Sequence, residues 1–151
     1  MATQIKIKNL PEGYQSIITN GKHSIVGDEP VASKGTDLGL SPSELVLSGL
    51  ALCKAATVRY IARKNGWEIG NVEAVLTQEV KRDSSGLKPN VKIKINIEGD
   101  ITNEQRNELI SQADNCYIHR MLNSEWNIER AENFEEQVFV QNQLETVSQS
   151  K

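Results

Sequence analysis

The chain has 151 residues, 38% hydrophobic and 25% charged, with a formal net charge of −3. That balance describes a soluble globular protein with enough chain for one core, not a disordered one. Its lysines and arginines are scattered, so no concentrated positive field is available and nucleic acid is not an expected partner.

No N-terminal stretch has the charged-then-apolar layout of a signal peptide. The longest apolar run, 45–52, is closed off by Lys54 and is too short to cross a bilayer. A cytoplasmic location without a membrane partner is therefore expected. A single domain over 1–151 is expected as well, with a core over about 3–134 and a polar tail over 135–151.

In chain order, 3–26 suggests strands. Ile5 and Ile7 alternate with Lys6 and Lys8, and Asn20-Gly21 is a turn signal that predicts a hairpin of 15–19 with 22–26. The segment GDEPVASKGTDLGL over 27–40 reads as a loop rich in Gly, Pro and Asp. It leads into SPSELVLSGLALCKAATVRYIARKNG, 41–66, which predicts one long helix. Ser41 suits the N-cap, Pro42 the first helical position and Glu44 the carboxylate of a capping box. Lys64, Asn65 and Gly66 supply a positive last turn and a glycine stop. Its body is apolar on almost every face, which predicts burial on every face.

Two strands follow, 72–82 and 91–98, the second with Val91, Ile93, Ile95 and Ile97 on one face. The intervening Ser84-Ser85-Gly86 begins a loop and predicts an antiparallel hairpin. A helix over 103–113 opens on a Thr102/Gln105 capping box and buries Leu109, Ile110 and Ala113. Asp114 and Asn115 break it, and CYIHRMLN predicts a short helix with Cys116 in its first turn, where the dipole lowers a thiol pKa. From Ile128 a last strand is possible on pattern, with Val138-Phe139-Val140 as an edge strand or a free end. The fold class is α+β, a long central helix against an antiparallel sheet.

Cys53, midway along the long helix, and Cys116 are the two cysteines. By themselves they read either as independent buried thiols or as a transient redox pair. With only two histidines and no close ligand spacing, no metal and no cofactor are expected. His119 lies one turn past Cys116 and can share its face, or stand half-exposed near a subunit contact. Trp67 and Trp126 suit core or interface anchors.

The pairing of SPSELVLSGLALC with ADNCYIHRML, and GDEPVASKGTDLGLSP before it, resembles the OsmC/Ohr family of osmotically inducible and organic-hydroperoxide-resistance proteins. The Pro-x-Glu opening is similar to one branch of that family, and the likeness runs over about 17–128. It implies an intertwined homodimer with sites at the subunit interface and thiol-dependent reduction of hydroperoxides. Cys53 would attack the peroxide, Cys116 would resolve the sulfenic acid as a disulfide, and an external dithiol would restore both. The peroxidase members hold an N-terminal arginine with a glutamate directly after the helix proline. Here the first arginine is Arg59, Ser43 follows the proline, and Glu44 comes one place and about 100° later. Tyr117 stands where the family usually has proline. The candidate site is thus Cys53, Cys116 and Glu44. The alternatives are a non-catalytic dimer of the same fold that binds a small apolar ligand, or a thiol redox sensor.

Overall fold

The computed structural model of the protein describes residues 2–133. It divides into two compact units, one built from the N-terminal residues through Pro42 together with those from Trp126, the other from Ser43 to Glu125.

The first unit holds a three-stranded antiparallel sheet in the order β1 (Lys6–Asn9), β2 (Ser16–Thr19) and β3 (Ser24–Gly27). The β2–β3 hairpin is the one predicted, but Thr19 pairs with Ser24, so four residues make the turn. The Asn20 side chain explains the longer turn: its Oδ1 accepts from the backbone of both Lys22 and His23. Ile5 and Ile7 are exposed, so the alternation at the N-terminus marks a strand without a covered face.

The loop after β3 is ordered around Asp28, which is 3% exposed. Its carboxylate accepts from the backbone of Tyr14, Glu29, Thr36 and Leu38 and from the Thr36 hydroxyl. A 3₁₀ turn, Val31–Ser33, sits within that loop, and Leu40 bridges back to Gly27. Gly35 is obligatory there, because an added Cβ would lie 1.8 Å from the Glu29 carbonyl oxygen.

The second unit contains α1 (Pro42–Lys64), the hairpin β4 (Val72–Asp83) and β5 (Gly86–Ile97), α2 (Asn103–Gln112) and α3 (Tyr117–Leu122). Gly66, at φ 68°, takes the left-handed conformation that ends a helix. The hairpin ladder runs from Val72–Ile97 to Asp83–Gly86, so β5 begins five residues before the predicted start. A two-residue turn closes it, tied by Asp83 Oδ1 accepting from the Ser85 backbone and hydroxyl. Pro89 is carried within β5 opposite Val80, where both residues are exposed. Val91, Ile93, Ile95 and Ile97 do face inward as the alternation predicts.

Val58 and Ala62 of α1, Ile97 of β5, and Leu109 and Ala113 from α2 and its end form the core of this unit. Trp67, Ile69, Val72, Ile95 and Ile101 pack around it. The architecture is α+β, with a long helix and antiparallel sheets.

Three expectations are corrected. Within the chain α1 is buried along one stripe only, Leu50, Lys54, Val58 and Ala62 at four-residue spacing, and Leu52 is 73% exposed. Taken whole, α1 also meets the length and apolarity that a membrane span requires, which the shorter 45–52 run does not. A core stripe with a charged residue at its centre accounts for that composition equally. Second, Ile110 is exposed, because only Leu109 and Ala113 turn toward the core. Third, the described part of the last predicted strand, 128–133, has no strand geometry and Ile128 is 82% exposed. The 135–151 tail, with Val138-Phe139-Val140, lies outside the described residues.

Candidate active site

The stripe that α1 buries would be apolar throughout but for Lys54, whose side chain has no solvent exposure. An ammonium in such a place must find an acceptor for each of its three donors. Lys54 Nζ donates to the Ala113 carbonyl oxygen at 3.2 Å and to Asp114 Oδ1 at 2.8 Å. It also lies 2.9 Å from His119 Nδ1, and because an ammonium only donates, Nδ1 is the acceptor and the ring proton belongs on Nε2. Each acceptor lies about 60 residues further along the chain. They are delivered by the end of α2, by the 3₁₀ turn Ala113–Asn115 and by α3.

That segment also carries Cys116. Asp114 and Asn115 do break α2, as expected, and α3 does follow. Cys116 is its N-cap and not a first-turn residue: its backbone is extended, and its sulfur accepts from the His119 backbone N–H at 3.3 Å. Cys116 is 1% exposed. Burial pushes its thiol up from the ordinary range, and the neighbouring Cys53 thiol adds to the rise. The His119 N–H and the Lys54 charge act the other way without reversing it. The lowered pKa expected from the helix start is therefore overturned, because desolvation outweighs one N–H donor.

Cys53 is half-buried, and both cysteines are free thiols. The Cys53 thiol is a near enough neighbour of Cys116 to act on its ionisation. The two cysteines named from sequence are thus brought together. Glu44 is not brought to them. It is exposed, nine residues before Cys53, which on a helix is about 13.5 Å along the axis and about half a turn around it.

Asp114 completes the cluster. Its side chain is 70% exposed, so the ion pair joins a buried cation to a carboxylate at the surface. The hydrogen bond from Lys54 holds its carboxyl below the ordinary carboxylate range. Asp114 Oδ1 is also 3.5 Å from His119 Nδ1. His119, 32% exposed, therefore joins the cluster through its ring and Cys116 through its backbone N–H. Lys54 is the side chain of this cluster that sequence reasoning missed. The signal available was a lysine inside an otherwise apolar helix stripe, in register with Leu50 and Val58.

All of these residues lie within 35–130, the stretch that matches the family model described as OsmC-like protein. The chain belongs to the OsmC-like protein family. No curated protein matches it. Among solved structures, the OsmC-like chain is similar to the OsmC like protein of Mycoplasma pneumoniae, with 21% identity and a TM-score of 0.65. That likeness covers 82% of this chain and 88% of the other. It is similar also to the organic hydroperoxide resistance protein OsmC of Legionella pneumophila, at 18% identity and TM-score 0.62, over 81% and 89% of the two chains. The organic hydroperoxide resistance protein OhrB of Bacillus subtilis gives 20% identity and TM-score 0.58, over 80% and 90%. At these identities the likeness establishes the OsmC-like fold.

Proposed function

We propose that this OsmC-like protein is a thiol-dependent peroxidase for organic hydroperoxides, with Cys53 as nucleophile and Cys116 as resolving thiol. The observation that carries this reading is the half-buried Cys53 thiol beside the buried Cys116 thiol, with a charged lysine in the same cluster. Membership of the OsmC-like family, and this chain's structural likeness to two named organic hydroperoxide resistance proteins, support it.

The Cys53 thiolate attacks one peroxide oxygen and the O–O bond breaks. The alcohol leaves with a proton, and Cys53 is left as sulfenic acid. Cys116 then attacks the Cys53 sulfur, hydroxide departs as water, and a disulfide remains. An external dithiol reduces that disulfide and is itself oxidised. The protein acts in this proposal as a cytoplasmic homodimer, in keeping with the apolar face that α1 leaves exposed.

The test is consumption of cumene hydroperoxide with excess dithiol by native protein and by Cys53→Ser. Turnover lost in Cys53→Ser is expected; no native turnover, or turnover that survives the substitution, ends the proposal. A second reading, a non-catalytic dimer of the same fold that binds a small apolar ligand, is favoured by the absence of any arginine before Arg59 in this sequence. It predicts that hydroperoxide is not consumed and leaves both thiols reduced.

A further inference from the structure

The residues that hold the Lys54 ammonium are also those that flank Cys116. Ala113 and Asp114 precede it, His119 follows it, and the His119 N–H is bonded to its sulfur. A cation fixed on three acceptors cannot drift away from that sulfur as a surface lysine would. The two thiols also differ in access: Cys53 is half-buried, and Cys116 is closed off from solvent. An external dithiol therefore reaches the Cys53 sulfur and not the other. Whichever sulfur is attacked, the opposite one must leave with the electron pair, and a stabilised thiolate leaves faster.

We propose that Lys54 is the cationic positioning residue of the thiol pair, the charge of its fixed ammonium stabilising Cys116 as the leaving thiolate when an external dithiol opens the Cys53–Cys116 disulfide. This rests on the redox-pair reading above. One thiolate of the dithiol attacks the Cys53 sulfur, the S–S bond breaks, and the electron pair goes to Cys116 beside Lys54. The second thiol of the reductant then displaces Cys53 from the mixed disulfide. The reductant departs as its own disulfide, and its two protons pass to the two protein thiols. The charged and titratable groups that act on Cys116 are Cys53 and Lys54 from α1, and Asp114 from the 3₁₀ turn and His119 from α3 are the side chains that hold the Lys54 ammonium. Among them Lys54 is the one whose charge favours the thiolate.

The decisive measurement is the ultraviolet thiolate titration of Cys116 in Cys53→Ser protein, where it is the sole cysteine. Adding Lys54→Met should leave about ten-fold less thiolate at a given pH below the midpoint. Adding Asp114→Asn instead removes the counter-charge and keeps the ammonium, so the midpoint should move down. A merely structural ion pair predicts the same upward or null response in both. An unchanged midpoint in Lys54→Met, or an upward shift in both variants, overturns the inference. Should Lys54→Met fail to fold, an upward or unchanged midpoint in Asp114→Asn still overturns it, and a downward shift supports it. With both cysteines present and the protein oxidised by diamide, reduction by dithiothreitol should be several-fold slower in Lys54→Met; an equal rate overturns the leaving-group role. The titration contains neither hydroperoxide nor disulfide. A native protein inert toward hydroperoxide, with a Lys54-dependent titration, therefore defeats the peroxidase reading alone.

Discussion

Two charged side chains are buried among the described residues, and each is held by a different kind of partner. Lys54 is matched by acceptors from a distant segment, one of them a carboxylate. Asp28 is matched by backbone N–H groups of its own loop and by the Thr36 hydroxyl at 2.5 Å. The Thr36 hydroxyl is the largest cause lowering the Asp28 carboxyl from 3.8 to about 2, and the backbone donors of Leu38, Glu29 and Thr36 add to it. A carboxyl whose pKa falls on folding stabilises the folded state above its unfolded value, and that stabilisation is lost as pH drops through the folded value. Asp28 thus contributes fully above about pH 4 and progressively less toward pH 2. Thermal unfolding midpoints taken from pH 7 to pH 2 by circular dichroism should decline over that lower window, and Asp28→Asn should have a lower midpoint at pH 7 and a shallower acid decline. Equal declines in both proteins would count against the hub role. Cys116 has the opposite sign: its raised pKa makes its contribution complete below the ordinary thiol range and lost as pH rises through the raised value.

At the scale of elements, the structure agrees with sequence reading at the α2 cap and along the β4–β5 ladder. The α2 capping box is present in both directions: Thr102 Oγ1 accepts from the Gln105 N–H at 3.1 Å and Gln105 Oε1 from the Thr102 N–H at 2.9 Å. Both partners are three residues apart, so the pattern can be read without tertiary knowledge. Thr102→Ala should cost about 1 kcal/mol, seen as a lower urea midpoint with an unchanged slope. A midpoint equal to native would mean that α2 is held by Leu109 packing alone. The β4–β5 pairing and the inward face of β5 were legible for the same reason, since a period of two needs only consecutive residues. The start of β5 was not. Pro89 reads as a strand breaker, yet it is tolerated on an exposed stretch of a hairpin that has no further strand beside it among the described residues.

For the whole molecule, the unburied face of α1 is the feature with the largest consequence. Val46, Leu52 and Tyr60 are exposed on a helix apolar enough to sit in a core. The proposed homodimer supplies the missing cover. Leu52→Asp should convert a native dimer to monomer in size-exclusion chromatography with light scattering at micromolar concentration, with far-ultraviolet circular dichroism unchanged. A native protein that is already monomeric there removes the homodimer from the proposal.

What the sequence determined by itself was the identity of the helices and hairpins and the two thiols, because caps, turns and apolar periods act between residues a few positions apart. It also determined the family, through segments that keep their order along the chain. Tertiary structure alone decided that Lys54 is buried and that Cys116 is desolvated. Both outcomes depend on bringing 113–119 against the middle of α1, some 60 residues earlier. A lysine among leucines looks like an interruption until the chain returns with a carbonyl, a carboxylate and an imidazole to receive its three protons.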